Sequence, residues 1–180
     1  MENFTVPTKA DVSENNQALF NNLEKGLGQV PNLYAYLAKN ETALGDYLTL
    51  QNRKSNLKAK EKEIVNLVVS QVNECDYCLA AHTLIGKMNG FTDDQVLEIR
   101  SGHASFDSKF NALAEFVKET TLNRGKASQN AINNLFEAGY NEAALIDIII
   151  LIGDKTVTNY LHRTTQLPID FPLAPALQTA

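Results

Sequence analysis

The sequence predicts an all-α protein, a single bundle of helices, on three observations. Residues suited to N-capping recur just before apolar stripes of helical period, and glycines sit just after several of them. No Asn-Gly or Asp-Gly hairpin turn flanks any apolar run. No Gly/Ser-rich or low-complexity tract marks a boundary, so residues 1–180 are expected to form one helical domain ending in an irregular tail over 167–180. Two stretches strain this reading: IVNLVVSQV (64–72) and LIDIIILI (145–152) are rich in β-branched residues and could be strands. Periodicity alone does not decide such runs, and their helical surroundings place them as buried helices.

In order along the chain, Ser13 caps a first helix to about Lys25, with Phe20, Leu23 and Leu27 on one side and Gly26 and Gly28 loosening its end. Pro31 starts a short helix in NLYAYLAKN, and Glu41 to roughly Asn52 forms another, with Leu44, Tyr47, Leu48 and Gln51 at helical spacing. Lys60 to Val72 is nearly all apolar after a charged first turn. The cysteine segment then runs to about Met88, with Gly90 as the stop. Thr92 and Gln95 make a capping box for TDDQVLEIRSG. Asp107 opens FNALAEFVKETTL, striped by Phe110, Leu113, Ala114, Val117 and Thr121. Ser128 begins a helix stopped at Gly139, and Asn141 caps the last one, to about Thr165, before Pro168, Pro172 and Pro175. Residues 57–82 and 140–165 faintly echo each other, but the second stretch lacks both cysteines.

Sixteen basic against twenty-one acidic residues give a net charge of −5, and no basic run exceeds Arg53-Lys54. A nucleic-acid partner is therefore not expected. MENFTVPTKADV lacks the basic start and apolar core of a signal peptide, and the longest apolar run is broken by Asp147. Neither secretion nor a membrane span is expected, and the default compartment is a reducing cytoplasm. In that setting a cysteine pair is more often catalytic or metal-binding than a structural staple.

Both cysteines lie in ECDYCLAAH (74–82). On a helix of about 100° per residue, Cys75, Cys78 and His82 share one face within an arc of roughly 60°. Cys75 falls at the helix N-terminus, where unpaired N–H groups favour an anion, and His82 one turn beyond Cys78, within reach of its proton. If the chain reverses at Asn73-Glu74, Glu63 on the preceding helix comes level with His82, taking ~1.5 Å of rise per residue. Its carboxyl in an apolar setting is expected to have a raised pKa. The competing reading makes Glu63 a first-turn glutamate held only by the helix dipole.

Rival readings of the thiols are two small buried hydrophobes, or a zinc site for which Cys75, Cys78 and His82 supply three ligands, with Glu63 or His103 the candidate fourth. A c-type haem would need histidine where Leu79 stands, and a thioredoxin-like unit would need a strand before the pair. Redox chemistry on a helical scaffold leads. His103 and His162 have no partner fixed by spacing and are expected to be ordinary histidines, while Asn159 and Tyr160 are candidate pocket residues.

LKAKEKEIVNLVVSQVNECDYCLAAH resembles the core motif of the alkylhydroperoxidase-D-like branch of the carboxymuconolactone decarboxylase superfamily: a glutamate, eleven residues, CxxC, three residues and a histidine. TNYLHRTTQLPIDF resembles the tail of its peroxidase-related members, so the likeness covers about residues 30–172. The resemblance implies an all-helical homo-oligomer with dithiol peroxidase activity and no metal, haem or flavin. Cys78 would be activated through His82 and Glu63, Cys75 would resolve it, and an external dithiol, of which a lipoyl-type protein is the candidate, would reduce the pair. Two positions depart from the pattern: Tyr77 stands where some members have histidine. Glu74 stands where glycine is frequent, and its charge is expected to raise the thiol pKa. The alternatives are a cofactor-free lyase acting on a small lactone, and a redox-responsive oligomer that does not turn over.

Overall fold

The computed structural model describes residues 4–177, and among them are nine α-helices, one 3-10 turn at Lys9–Asp11 and no strand. The helices are α1 (Glu14–Leu27), α2 (Asn32–Leu37), α3 (Ala43–Gln51), α4 (Ala59–Val72), α5 (Asp76–Met88), α6 (Asp93–Ser101), α7 (Ser108–Leu122), α8 (Gln129–Glu137) and α9 (Glu142–Thr165). Residues 1–3 and the tail's 178–180 lie outside the described residues.

Capping chemistry sets most boundaries where the sequence places them. Ser13, Thr92, Ser128 and Asn141 each accept a backbone N–H of the first turn, and Asp107 accepts two. Two ends differ from expectation. The first helix continues through Gly26 to Leu27, whose side chain is exposed rather than on the inner stripe. Helix α3 starts at Ala43, not Glu41, because Asn40 Oδ1 accepts the N–H groups of Thr42 (3.1 Å) and Ala43 (3.2 Å). The 3-10 turn went unpredicted, being too short to show a period; Asp11 holds it by accepting the Thr8 N–H at 2.8 Å.

Helix α4 is the axis of the molecule, with α5, α6, α7 and α9 packed around it. Ile64, Val65, Val68 and Val69 are fully buried and join α6, α7 and α8 in the main apolar core. Each such side chain removed from water contributes about 1.5–3 kcal/mol. On its other side Glu63, Asn66 and Ser70 recur at helical spacing and are equally enclosed. That i, i+3, i+7 recurrence makes IVNLVVSQV a helix rather than a strand. The second ambiguous run is also helical: Asp147 and Asp154 are both buried on α9, one heptad apart.

The faint echo is not a structural repeat. Residues 57–82 break into α4 and α5 at Asn73-Glu74, whereas α9 runs unbroken. No helix among the described residues is long and apolar enough to cross a bilayer. The tail is irregular, as expected, yet pinned. Asp170 accepts the Asn32 N–H at 2.9 Å, capping α2, Asn32 donates to the Pro168 carbonyl at 3.0 Å, and Arg100 donates to that of Pro175 at 2.7 Å.

Candidate active site

The reversal between α4 and α5 is a Schellman turn, and it delivers the first cysteine. The Cys75 N–H donates back to the Ser70 carbonyl at 2.9 Å and the Glu74 N–H to that of Gln71 at 3.1 Å. Glu74 takes the left-handed residue of this motif, at φ 53°. That is the place for glycine, which has no Cβ to strain this backbone conformation. The Glu74 carboxylate turns outward to Arg163, 2.6 Å away. The rise expected from its charge is not seen at Cys78, whose thiol lies below its ordinary value.

Cys75 is the N-cap of α5: its sulfur accepts the Cys78 N–H at 3.3 Å, the role a serine oxygen plays elsewhere. Both cysteines are free thiols, joined through the bond from the Cys78 N–H to the Cys75 sulfur. Their environments differ. Cys75 is 0% exposed, packed with Leu33, Tyr77 and Leu167. Cys78 lines a cavity of about 100 Å³ together with His82, Tyr34, Tyr47, Lys155 and Phe171.

The two thiols hold their protons unequally. The Cys78 thiol is held down at about 7, first by the hydrogen bond from Cys75 and then, against burial, by the Lys155 charge and the polar Asn159 and Thr158 side chains. Cys75 is pushed far above the usual thiol range by its bond to Cys78 and by burial. The helix terminus alone suggested Cys75 as the anion, but hydrogen bonding and Lys155 move the charge to Cys78.

Glu63 does reach the imidazole. Its Oε2 accepts the His82 Nδ1–H at 2.8 Å, and its Oε1 accepts the Asn66 amide at 2.9 Å. The first-turn role falls instead to Glu61, which accepts the Lys58 N–H at 2.7 Å. The expected rise of the Glu63 pKa is overturned. Burial pushes it up, but His82 and Asn66 outweigh burial and leave it below the ordinary carboxyl value. His82 is pushed down by burial and by Lys155, against the pull of Glu63, so it is neutral at neutral pH. With Nδ1 carrying the proton, Nε2 has the free lone pair. His82 and Cys78 face one cavity, but no direct hydrogen bond joins them among the described residues.

A second cavity of about 420 Å³ lies on the other side of His82 and includes Glu63, Asn66, Asp147 and Asp154 in its wall. His82, Lys155, Tyr34, Gln51 and Ile85 line both spaces and divide them. Arg53 bonds Asp147 at 2.7 Å and fixes the loop beside this outer cavity.

Tyr77 is structural as well as pocket-lining. Its hydroxyl accepts the Leu33 N–H at 3.2 Å, and its ring packs on His162 and Phe171 with centroids 5.1 and 5.5 Å apart. His162 is buried and donates from Nε2 to the Leu167 carbonyl at 3.0 Å, while His103 is exposed beside Glu115 at 3.5 Å and lines neither cavity. Asn159 is fully enclosed and bridges Ser70 (3.3 Å) and Asn73 (3.0 Å); Tyr160, expected at a pocket, is exposed on the outer side of α9. Among the described residues no three His, Cys, Asp or Glu side chains converge as metal ligands.

Lys155, Thr158 and Asp154 were missed in the sequence. The available signal was a pair of charges, Asp154-Lys155, lodged in an apolar helix at the register of Asp147.

Residues 38–119 match the family model for carboxymuconolactone decarboxylases. The chain is 20% identical over 103 residues to YdfG of Bacillus subtilis (strain 168), an uncharacterized protein, a match covering 56% of this chain and 70% of that one. Its fold is similar to the alkylhydroperoxidase AhpD core of a peroxidase-related protein from Ralstonia eutropha JMP134. The TM-score is 0.83 at 17% identity, over 93% of this chain and 91% of that one. It is also similar to the debrominase Bmp8 in complex with 2,3,4-tribromopyrrole, with TM-score 0.76 at 17% identity and the same coverage, 93% and 91%. At these identities the likeness is one of fold.

Proposed function

We propose, for a chain that belongs through residues 38–119 to the carboxymuconolactone decarboxylase family and folds as the AhpD core does, the activity of a dithiol peroxidase. One observation carries the reading: Cys78 and His82 face the same small cavity, with Glu63 fixing the imidazole from behind and the Cys75 sulfur held on the Cys78 N–H. In the proposed cycle His82 Nε2 takes the Cys78 proton and the thiolate attacks the O–O bond of a hydroperoxide. Cys78 becomes a sulfenic acid as an alcohol or water leaves. Cys75 condenses with it to a disulfide, and an external dithiol, a lipoyl-type protein being the candidate, restores both thiols. No metal, haem or flavin takes part.

The test is peroxide consumption with dithiothreitol as donor. Cys78→Ser is expected to lose turnover, and Cys75→Ser to keep one round of oxidation without cycling. Sustained turnover in Cys78→Ser rules the assignment out. A protein that oxidises once and then stops is a redox-responsive protein instead, and lactone decarboxylation that survives loss of both cysteines marks the lyase.

A second reading has an observation of its own. Tyr34, Tyr47, Tyr77 and Phe171 give the Cys78 cavity an aromatic wall suited to a flat ring, and the debrominase of similar fold was captured with a brominated pyrrole. Reductive dehalogenation would consume the same two thiols and release halide, so bromide release from a bromopyrrole separates it from peroxide reduction. Homo-oligomer assembly belongs to the same proposal; exposed Ile146, Ile149, Val157 and Tyr160 along α9 support it, and sedimentation velocity tests it.

A further inference from the structure

We propose that Lys155 is a catalytic residue of the peroxide step, its ammonium meeting the leaving oxygen as the O–O bond breaks at Cys78. This rests on the peroxidase reading and adds to it a group from α9, outside the cysteine motif.

Three observations lead there. Lys155 is 4% exposed, and among the described residues its ammonium makes no hydrogen bond and no ion pair; only its backbone carbonyl is engaged, by Thr158. With no protein partner, its ammonium is left facing the cavities it lines. Its neighbour Asp154 does not neutralise it. Adjacent side chains diverge by roughly 100° on a helix, and Asp154 Oδ1 is itself buried without a partner. Finally, Lys155 lines both cavities, at the partition with His82 and on the side where Cys78 opens. A fixed cation next to a nucleophile is placed where negative charge develops.

The atoms balance as follows. The Cys78 thiolate attacks the terminal oxygen of R–O–O–H; the S–O bond forms, the O–O bond breaks, and its electron pair leaves on RO⁻. RO⁻ takes a proton from Lys155 Nζ and departs as ROH. The neutral amine regains the proton that His82 took from Cys78. Cys75–SH and Cys78–SOH then give the disulfide and water, two electrons having passed from two thiols to one peroxide.

The titratable groups facing Cys78 are Cys75 at the N-cap of α5, Tyr77 and His82 from α5, Tyr34 from α2, Tyr47 from α3 and Lys155 from α9. Those facing Lys155 are Glu63 from α4, His82 from α5, Tyr34 from α2 and Cys78 itself, with Tyr47 from α3 beside Asp154. Loss of the Lys155 charge therefore acts on the thiol directly as well as on the leaving oxygen, and the experiment has to separate the two.

The full-length protein is compared as wild type, Lys155→Met, which keeps the stem, and Lys155→Arg, which keeps the charge. Lys155→Gln is the second neutral variant should the first not fold. Iodoacetamide alkylation of Cys78 against pH gives the thiolate fraction, and stopped-flow oxidation by cumene hydroperoxide gives a rate per thiolate. In the neutral variants the alkylation midpoint rises by about one pH unit or more. The oxidation rate per thiolate falls by about a hundredfold, while Lys155→Arg keeps most of both. A packing role would leave the rate per thiolate unmoved, and that result overturns the proposal. A wild type that consumes no peroxide defeats the peroxidase reading. Normal wild-type consumption with an unchanged rate per thiolate in the neutral variants defeats only the role of Lys155.

Discussion

Helix α4 has two buried sides that do opposite work. One presents Ile64, Val65, Val68 and Val69 to α6, α7 and α8, dry and without a polar atom to satisfy. The other presents Glu63, Asn66 and Ser70 to α5 and α9, where each is tied into a hydrogen bond: Glu63 to His82, Asn66 to Glu63, Ser70 to Asn159. The dry side supplies cohesion, because its side chains are worth what their removal from water gives. The polar side returns little net stability for its burial, since every group on it first loses its water. What it gains is a fixed imidazole tautomer and, through Ser70, an Asn159 held beside Cys78. Stability and reactivity thus lie about half a helical turn apart on one element.

Substitutions on the two sides test that division. Ile64→Ala on the dry side is expected to cost about 2–5 kcal/mol of unfolding free energy in urea, while the alkylation midpoint of Cys78 stays near 7. A shift in that midpoint would show that the sides are coupled. Glu63→Gln on the polar side is expected to reverse the pattern. Peroxide turnover falls on the order of a hundredfold or more, as befits a disabled general base, with a stability change of about 1–2 kcal/mol.

Acid should also act through the polar side. An unfolded His82 takes up a proton below its ordinary value of 6.5, while the folded one, its pKa lowered, does not. Unfolding therefore absorbs protons in that range. The contribution is fully present above about pH 6.5 and is lost as pH falls, by up to about 1.4 kcal/mol per pH unit. Glu63, lowered from 4.5, adds a further loss in the same direction once pH passes below that value. Urea midpoints between pH 3 and pH 8 measure both, and a flat profile would mean that His82 is solvated.

The smallest expected effect lies at the turn. Glu74→Gly relieves a left-handed residue and gives up an exposed ion pair with Arg163, for a net gain of about 1 kcal/mol or less, read as a higher thermal midpoint.

The sequence exposed what is local. Caps such as Ser13, Thr92 and Asn141 act through the next three residues, so they can be read without the fold. The interval from Glu63 to His82 was legible because one short turn joins two helices, and rise per residue then fixes their level. Lys155 was not legible. It reaches Cys78 from α9 by packing, which no spacing along the chain encodes. The direction of the Glu63 shift failed for a related reason: burial and the nearness of His82 were visible in the sequence, but the Asn66 donor, and the balance in which it and His82 outweigh burial, became visible only in three dimensions.

The fastening of the tail has a consequence in time. Asn32 meets Asp170 across 138 residues of chain, and Tyr77 is wedged against Phe171. Contacts so remote in sequence are the slowest to find each other, since a long loop must close before they give anything back. During refolding, α4 and α5 can pair early through their short turn while their sulfurs still lie bare to solvent. Protection of the thiols is then the final event of folding, and pulsed alkylation should mark them until the tail docks.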